Sequence, residues 1–221
     1  MSSVRNAVIA AAGLGSRLGL GMPKCMISVH KTPILARMLS QLSEHVENIV
    51  VVAGYREELI HEYCQGHFRD VVVARNPDYA TTNTAHSLAL GAKLITGKTL
   101  FLDGDLLMEG QSLKRFMAQA SETEVILGVA DAKTEQPVFA DCVETGSDLL
   151  TLTSFSRDTP SKYEWANLFV GQHDIMNGAQ HYVFEKLAQQ LPLPAVLIDV
   201  EEIDTPDDMA RAEAAVQRWG N

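Results

Sequence analysis

Three short stretches of this chain place together residue types suited to handling phosphate. The first is Ala11-Ala12-Gly13-Leu14-Gly15-Ser16-Arg17, closing on Pro23-Lys24. Glycines let a backbone approach a ligand closely, and successive exposed amides make a cradle for phosphate oxygens. Arg17 and Lys24 add fixed positive charge. The pattern is neither G-x-G-x-x-G nor G-x-x-x-x-G-K-[ST], so hydride transfer and P-loop kinase chemistry lose their usual support. The second stretch is Leu102-Asp103-Gly104-Asp105, two carboxylates about a glycine at a strand end. Mg²⁺ takes one or two carboxylates, waters and substrate phosphate oxygens, a ligand set this position can supply. The third is Ile203-Asp204-Thr205-Pro206-Asp207-Asp208, where Thr205 caps a helix begun at Pro206 and Asp207 and Asp208 suit its first turn. Asp204 precedes the cap and is left over as a candidate metal ligand. Together these residues describe group transfer by position and charge. An acceptor phosphate oxygen attacks the α-phosphorus of a nucleoside triphosphate. Lys24 and Arg17 would stabilise charge on the transition state and on the departing pyrophosphate, with Asp105 and Asp204 as the residues that would hold Mg²⁺. No general base is required, because an acceptor phosphate is already ionised at neutral pH.

The elements that must position these residues are legible as alternating strands and helices. Val8 to Ala12 reads as a buried strand breaking into the glycine loop. Apolar residues at helical spacing from Pro33 to Leu42 are followed by the β-branched run Asn48 to Ala53. Helices are expected at Glu57 to Tyr63, Ala85 to Leu94, Leu113 to Ala120, Ala179 to Gln190 and Pro206 to Trp219. Further strands are expected at Val71 to Ala74, Thr99 to Leu102, Val125 to Val129 and Val196 to Val200. Phe139 to Glu144 and Leu149 to Phe155 read as two strands about Gly146-Ser147, a small hairpin embellishment and a candidate homodimer element. The pattern predicts one α/β domain over residues 1–221, with a doubly wound, mostly parallel, Rossmann-like sheet. Ligands bind such sheets beyond the carboxyl ends of the strands, where the loops at Gly13, Asp103 and Asp204 all fall.

Bulk properties narrow the partners. With 221 residues and 46% hydrophobic content, the chain can bury a real core. A net charge of −10 argues against a nucleic-acid or anionic-membrane surface, so an anionic substrate must be held by local cations. No apolar run approaches the roughly 20 residues of a membrane span, and Met1 to Asn6 has no signal-peptide character, so a cytoplasmic location is expected. Cys25, Cys64 and Cys142 are scattered and read as reduced thiols.

Those motifs, with Pro23-Lys24-Cys25-Met26, resemble the nucleotide-sugar-pyrophosphorylase-like nucleotidyltransferases across almost the whole chain. Asn76-Pro77-Asp78-Tyr79, then Thr82-Asn83 and Ser87-Leu88, look most like bacterial choline-phosphate and 2-aminoethylphosphonate cytidylyltransferases. The resemblance implies CTP as donor and a small phosphorylated or phosphonylated acceptor. It also implies that Ala11, Ala12, Gly13, Gly15, Ser16, Asp103 and Gly104 surround the nucleotide, with Asn83 and Ser87 beside the base. Arg17 and Lys24 would be catalytic, and Asp105 and Asp204 would hold Mg²⁺. Glu164 and Trp165 match a region near the acceptor, where an aromatic face and a carboxylate suit an ammonium headgroup; Trp165 is equally readable as a packing residue. The loop between Arg17 and Pro23 is shorter than in most such relatives and is similar to that of the methylerythritol phosphate cytidylyltransferases. That family and the sugar 1-phosphate transferases are the alternatives, and a silent nucleotide-binding domain is a third. His86, between Asn83 and Ser87, and Tyr55-Arg56, after a strand, are lesser candidates for nucleotide contact.

Overall fold

The computed structural model describes residues 3–13, 21–146, 149–179 and 181–220. In its first half the chain forms β1 (Asn6–Ala11), β2 (Ser28–Val29), β3 (Thr32–Pro33), α1 (Ile34–Leu42), β4 (Asn48–Ala53), α2 (Glu57–His67), β5 (Val72–Arg75), α3 (Thr84–Ala92), β6 (Lys98–Asp103) and β7 (Leu106–Met108). The second half is α4 (Gly110–Glu122), β8 (Ile126–Asp131), β9 (Phe139–Glu144), β10 (Leu149–Ser156), β11 (Tyr163–Gln172), α5 (Val183–Ala188), β12 (Leu193–Leu197), β13 (Val200–Glu202) and α6 (Pro206–Trp219).

One large sheet runs β5-β4-β1-β6-β11-β8-β12-β10-β9. Strand β1 lies between β4 and β6, parallel to both, and its continuous apolar run is buried as a central parallel strand requires. Strands β5, β4, β1, β6, β8, β12 and β9 point one way, and only β11 and β10 oppose them. The expected mostly parallel, doubly wound sheet is therefore the architecture found. Helix α1 buries Ile34, Leu35, Met38, Leu39 and Leu42, the positions its spacing marked, against one face. Helices α4 and α6 cover that same face, while α3 and α5 cover the other. Phe101 and Phe169, opposite one another on β6 and β11, stack with ring centroids 4.8 Å apart where the strand direction reverses.

The hairpin expected as a small embellishment on the sheet is found as β9 and β10, and its strands join the main sheet. Strand β10 pairs with β12, and β9 pairs with both β10 and β11, at Ala140 opposite Tyr163 and Phe139 opposite Glu164. Strands β11, β8, β12, β10 and β9 thus close into a ring. The helix expected over Ala179 to Gln190 contracts to Val183–Ala188, because Tyr182 is extended and its ring is used for stacking. The strand expected over Val196 to Val200 divides into β12 and β13. Strand β13 leaves the main sheet to form an antiparallel ribbon with β7. Among the described residues, no helix is long and apolar enough to cross a membrane.

Candidate active site

The chemistry-bearing loops gather at the carboxyl ends of β1 and β6. Gly104 has to be glycine: a Cβ there would lie 2.9 Å from the Ala10 carbonyl oxygen and 3.1 Å from Ala11 Cα. Its N–H donates to Ala10 O at 2.9 Å, which fastens the Asp103-Gly104-Asp105 turn against β1. Ala11 and Ala12 are buried beside it, and Gly13 is exposed. Gly15, Ser16 and Arg17 lie outside the described residues.

Lys24 opens a single helical turn, Lys24–Met26, fixed by Met26 N–H to Pro23 O and Ile27 N–H to Lys24 O, both 2.9 Å, and by the buried Cys25. Its ammonium donates to Asp105 Oδ2 at 3.1 Å and pairs with Asp204 Oδ1. Residues 81 and 180 positions away meet it there because of the β7–β13 ribbon. Glu202 pairs with Leu106 across that ribbon, and Ile203 N–H donates to Asp105 O at 3.2 Å. Asp204 is then held from behind. Asp208 accepts from Asp204 N–H at 2.9 Å and from Thr205 N–H at 2.7 Å, while Thr205 Oγ1 accepts from Asp208 N–H. This capping box bears out the helix-start reading of Thr205 and Asp208. Arg211 pairs with the same carboxylate.

Sequence reasoning missed Glu202. Asp105, Glu202 and Asp204 each offer a carboxylate oxygen, all within 4.8 Å of one another. Glu202 is oriented by Asn167 Nδ2, which donates to its Oε2 at 3.0 Å from a left-handed backbone (φ 55°) at an irregularity in β11. No local pattern announces either residue. The carboxylates crowd one another: burial, then Asp105, then Glu164 and Asp208 push the Glu202 carboxyl up to about 7, with Lys24 opposing. Burial, Asp105 and Glu202 likewise hold the Asp103 carboxyl well above its ordinary range. Asp105 Oδ1 is buried with no hydrogen-bond partner among the described residues. A hard oxygen set with an unsatisfied buried lone pair fits a divalent cation.

The remaining expected residues fall around this centre. Asn83 caps α3, its Oδ1 accepting from His86 N–H at 3.3 Å, and its Nδ2 donates to His181 O. Ser87 is buried, and its hydroxyl accepts from Asn76 Nδ2 at 3.0 Å. Asn76 also donates to Thr82 Oγ1 and accepts from Asp78 N–H, so it organises the loop leading to Asn83. Tyr55 packs near Tyr79, and Arg56 caps α2 from a left-handed conformation. Glu164 and Trp165 do not share a wall. Neighbours on a strand point to opposite sides; Glu164 Oε2 accepts from Thr134 N–H at 3.2 Å and Thr134 Oγ1 at 2.7 Å, whereas Trp165 lines the cavity. That cavity, about 340 Å³, runs from Asp103, Glu202 and Asp204 to an aromatic end built by Trp165, Tyr182 and Phe184, beside Arg157.

The fold is shared with solved nucleotidyltransferases. CTP:phosphocholine cytidylyltransferase from Streptococcus pneumoniae has the same fold, with a TM-score of 0.75 at 17% identity, covering 96% of this chain and 100% of that one. Residues 7–159 match the MobA-like NTP transferase domain, and the chain belongs to that family. It is similar to CMP-5'-(3-aminopropyl)phosphonate synthase from Streptomyces rubellomurinus, 32% identical over 74% of this chain and 28% of that protein. It is also similar to 2-aminoethylphosphonate cytidylyltransferase from Lancefieldella rimae, 32% identical over 49% of this chain and 46% of that one. The matched regions therefore span less than half of these relatives.

Proposed function

We propose that this chain transfers CMP from CTP to a small phosphorylated or phosphonylated acceptor and releases pyrophosphate. The observation that carries the reading is the convergence of Lys24, Asp105 and Asp204 at the strand ends, beside a cavity of acceptor size. The relatives that act on aminoalkylphosphonates support the acceptor class. Lys24, with Arg17, supplies positive charge to the triphosphate and to the pyrophosphate as it leaves. Asn83, Ser87 and the Asn76 loop form the edge against which the base is read, and Ala11 to Ser16 with Asp103 and Gly104 surround the phosphates and ribose. Asp105 and Asp204, joined by Glu202, would hold Mg²⁺. When bound, the ion would neutralise phosphate charge and fix the geometry of an in-line displacement. The acceptor needs no base, because its oxygen is ionised at neutral pH. Trp165 belongs to the acceptor wall. Glu164 braces that wall through Thr134 instead of meeting the acceptor.

The test is pyrophosphate release with Mg²⁺ over four nucleoside triphosphates against 2-aminoethylphosphonate, phosphocholine, methylerythritol phosphate and several sugar 1-phosphates. Release confined to CTP with an aminoalkyl acceptor is expected. Release with a sugar or methylerythritol phosphate would keep the chemistry and overturn the acceptor, and no release with any pair would overturn the function.

A further inference from the structure

The aromatic end of the cavity carries a cation where an ammonium-binding box would carry a carboxylate. Arg157 lies with its guanidinium carbon 4.9 Å from the Tyr182 ring centroid and 5.2 Å from that of Phe184. Those two rings are stacked, 14° apart in plane, and Phe155 meets both Phe184 and Trp165 edge-on. The guanidinium is thus braced on a fixed aromatic surface while it lines the cavity. Among the described residues no carboxylate pairs with it, although the chain carries 28 acidic residues. Trp165, in the same wall, has its indole N–H buried with no acceptor among the described residues. Glu164, the carboxylate expected to meet an ammonium, is turned onto Thr134. The other mouth of the cavity is lined by Asp103, Glu202, Asp204 and Asp208, an acidic end that disfavours an anion arriving without a cation.

We propose that Arg157, held by Tyr182 and Phe184, selects the acceptor by binding one of its oxyanion groups, either the phosphonate or phosphate itself or a carboxylate elsewhere on the molecule. This rests on the transferase reading for its substrate but not for its measurement. A guanidinium on an aromatic platform offers a planar pair of donors that matches an oxyanion bidentately, and its orientation is set before the ligand arrives. The acceptor is accordingly an anion or zwitterion whose recognition depends on oxygen atoms, and a quaternary ammonium adds nothing at this end.

The experiment compares wild type with Arg157→Gln and Arg157→Lys, both at an exposed position where folding is not at stake. Binding is read calorimetrically with a non-hydrolysable CTP analogue and Mg²⁺ present, using 2-aminoethylphosphonate and its carboxylated analogue 2-amino-3-phosphonopropionate as probes. Acceptor KM and CTP KM are measured alongside. Loss of a charge-assisted, bidentate contact should weaken acceptor binding about tenfold or more and leave CTP KM unchanged, with lysine a poor substitute. An equal loss for both probes identifies the phosphonate as the group bound; a loss confined to the carboxylated probe identifies the carboxylate. Unchanged acceptor affinity in Arg157→Gln, or a rise in CTP KM alone, overturns the proposal. If wild type releases no pyrophosphate with any acceptor, the transferase reading falls, and the calorimetric comparison still decides the role of Arg157.

Discussion

Removing the Lys24 ammonium should have two separable effects, because one cation serves a crowd of carboxylates. In Lys24→Ala, Asp105, Glu202 and Asp204 keep oxygens within 4.8 Å of one another but lose the charge between two of them. At that separation and an effective dielectric of about 20, each like-charged pair repels by roughly 3 kcal/mol. Some of that is relieved by protonation of Glu202, whose carboxyl already titrates at about 7. Breaking a mostly buried ion pair costs about 3–5 kcal/mol, and the side chains here are only 15–21% exposed, so a loss of about 3 kcal/mol is expected without metal. For a chain of this size that is a fall of roughly 6–12 °C in Tm. Millimolar Mg²⁺ should recover much of it, because a divalent ion supplies the missing charge. Turnover should not recover. Loss of transition-state charge stabilisation should leave pyrophosphate release on the order of a hundredfold or more below wild type at any Mg²⁺ concentration. Thermal unfolding across a Mg²⁺ titration, with the same samples assayed for pyrophosphate, reads both effects. A metal-free Tm equal to wild type would refute the electrostatic account of the site, and near-normal turnover would refute the role of Lys24.

Gly104→Ala should lower Tm by several degrees and cut turnover more than tenfold, since its Cβ meets backbone atoms of Ala10 and Ala11 that cannot rotate away; overpacking of this kind costs about 1–3 kcal/mol, and a normal Tm would show that β1 and β6 can part. Because the folded-state Glu202 carboxyl is raised from 4.5 to about 7, its contribution to stability is present below about pH 4.5 and is lost as pH rises through 7, on the order of 3 kcal/mol. Metal-free Tm should therefore decline between pH 5 and pH 8, and Glu202→Gln should flatten that decline, as differential scanning calorimetry would reveal. Asn76→Ala should raise the KM for nucleotide severalfold while leaving Mg²⁺ affinity near wild type, because it frees the loop before Asn83 and strands the Ser87 hydroxyl. Isothermal titration with Mg²⁺ and with the nucleotide separates the two.

The residues legible in the sequence share one property: each sits at the end of a strand or the start of a helix and is announced by its immediate neighbours. Gly13, Lys24, Asp105 and Asp204 follow apolar runs or precede a cap, and α6 occupies the expected span from Pro206 to Trp219 with its capping box. What was not legible depends on distant register. Glu202 becomes part of the acidic cluster only because three-residue strands β7 and β13 pair, and strands so short leave no periodicity to read. Asn167 reaches it from an irregular stretch of β11. Glu164 and Trp165 looked like one acceptor motif because they are adjacent, yet adjacency on a strand places two side chains on opposite faces. Arg157 follows β10, whereas Tyr182 caps α5 and Phe184 lies within it, and they meet where α5 packs against β10.

The electrostatics of the site follow from that assembly. Asp103, Asp105, Glu202, Asp204 and Asp208 surround the place where, in the proposed reaction, a triphosphate and a second anion would meet, and among the described cations Lys24 pairs with Asp105 and Asp204 while Arg211 pairs with Asp208 behind them. A polyanion entering on its own would face net repulsion, and a net charge of −10 over the chain adds to it at long range. Lys24 cannot offset this while its ammonium is shared between Asp105 and Asp204. A divalent ion bound to those carboxylates would release the ammonium toward the phosphates and reverse the sign of the field at the same time. The position of Lys24 between two candidate metal ligands is thus consistent with its role at the triphosphate. On the proposed reading, the same carboxylates that disfavour bare nucleotide would favour nucleotide that arrives with its cation, and Arg157 would add positive charge at the far end of the cavity.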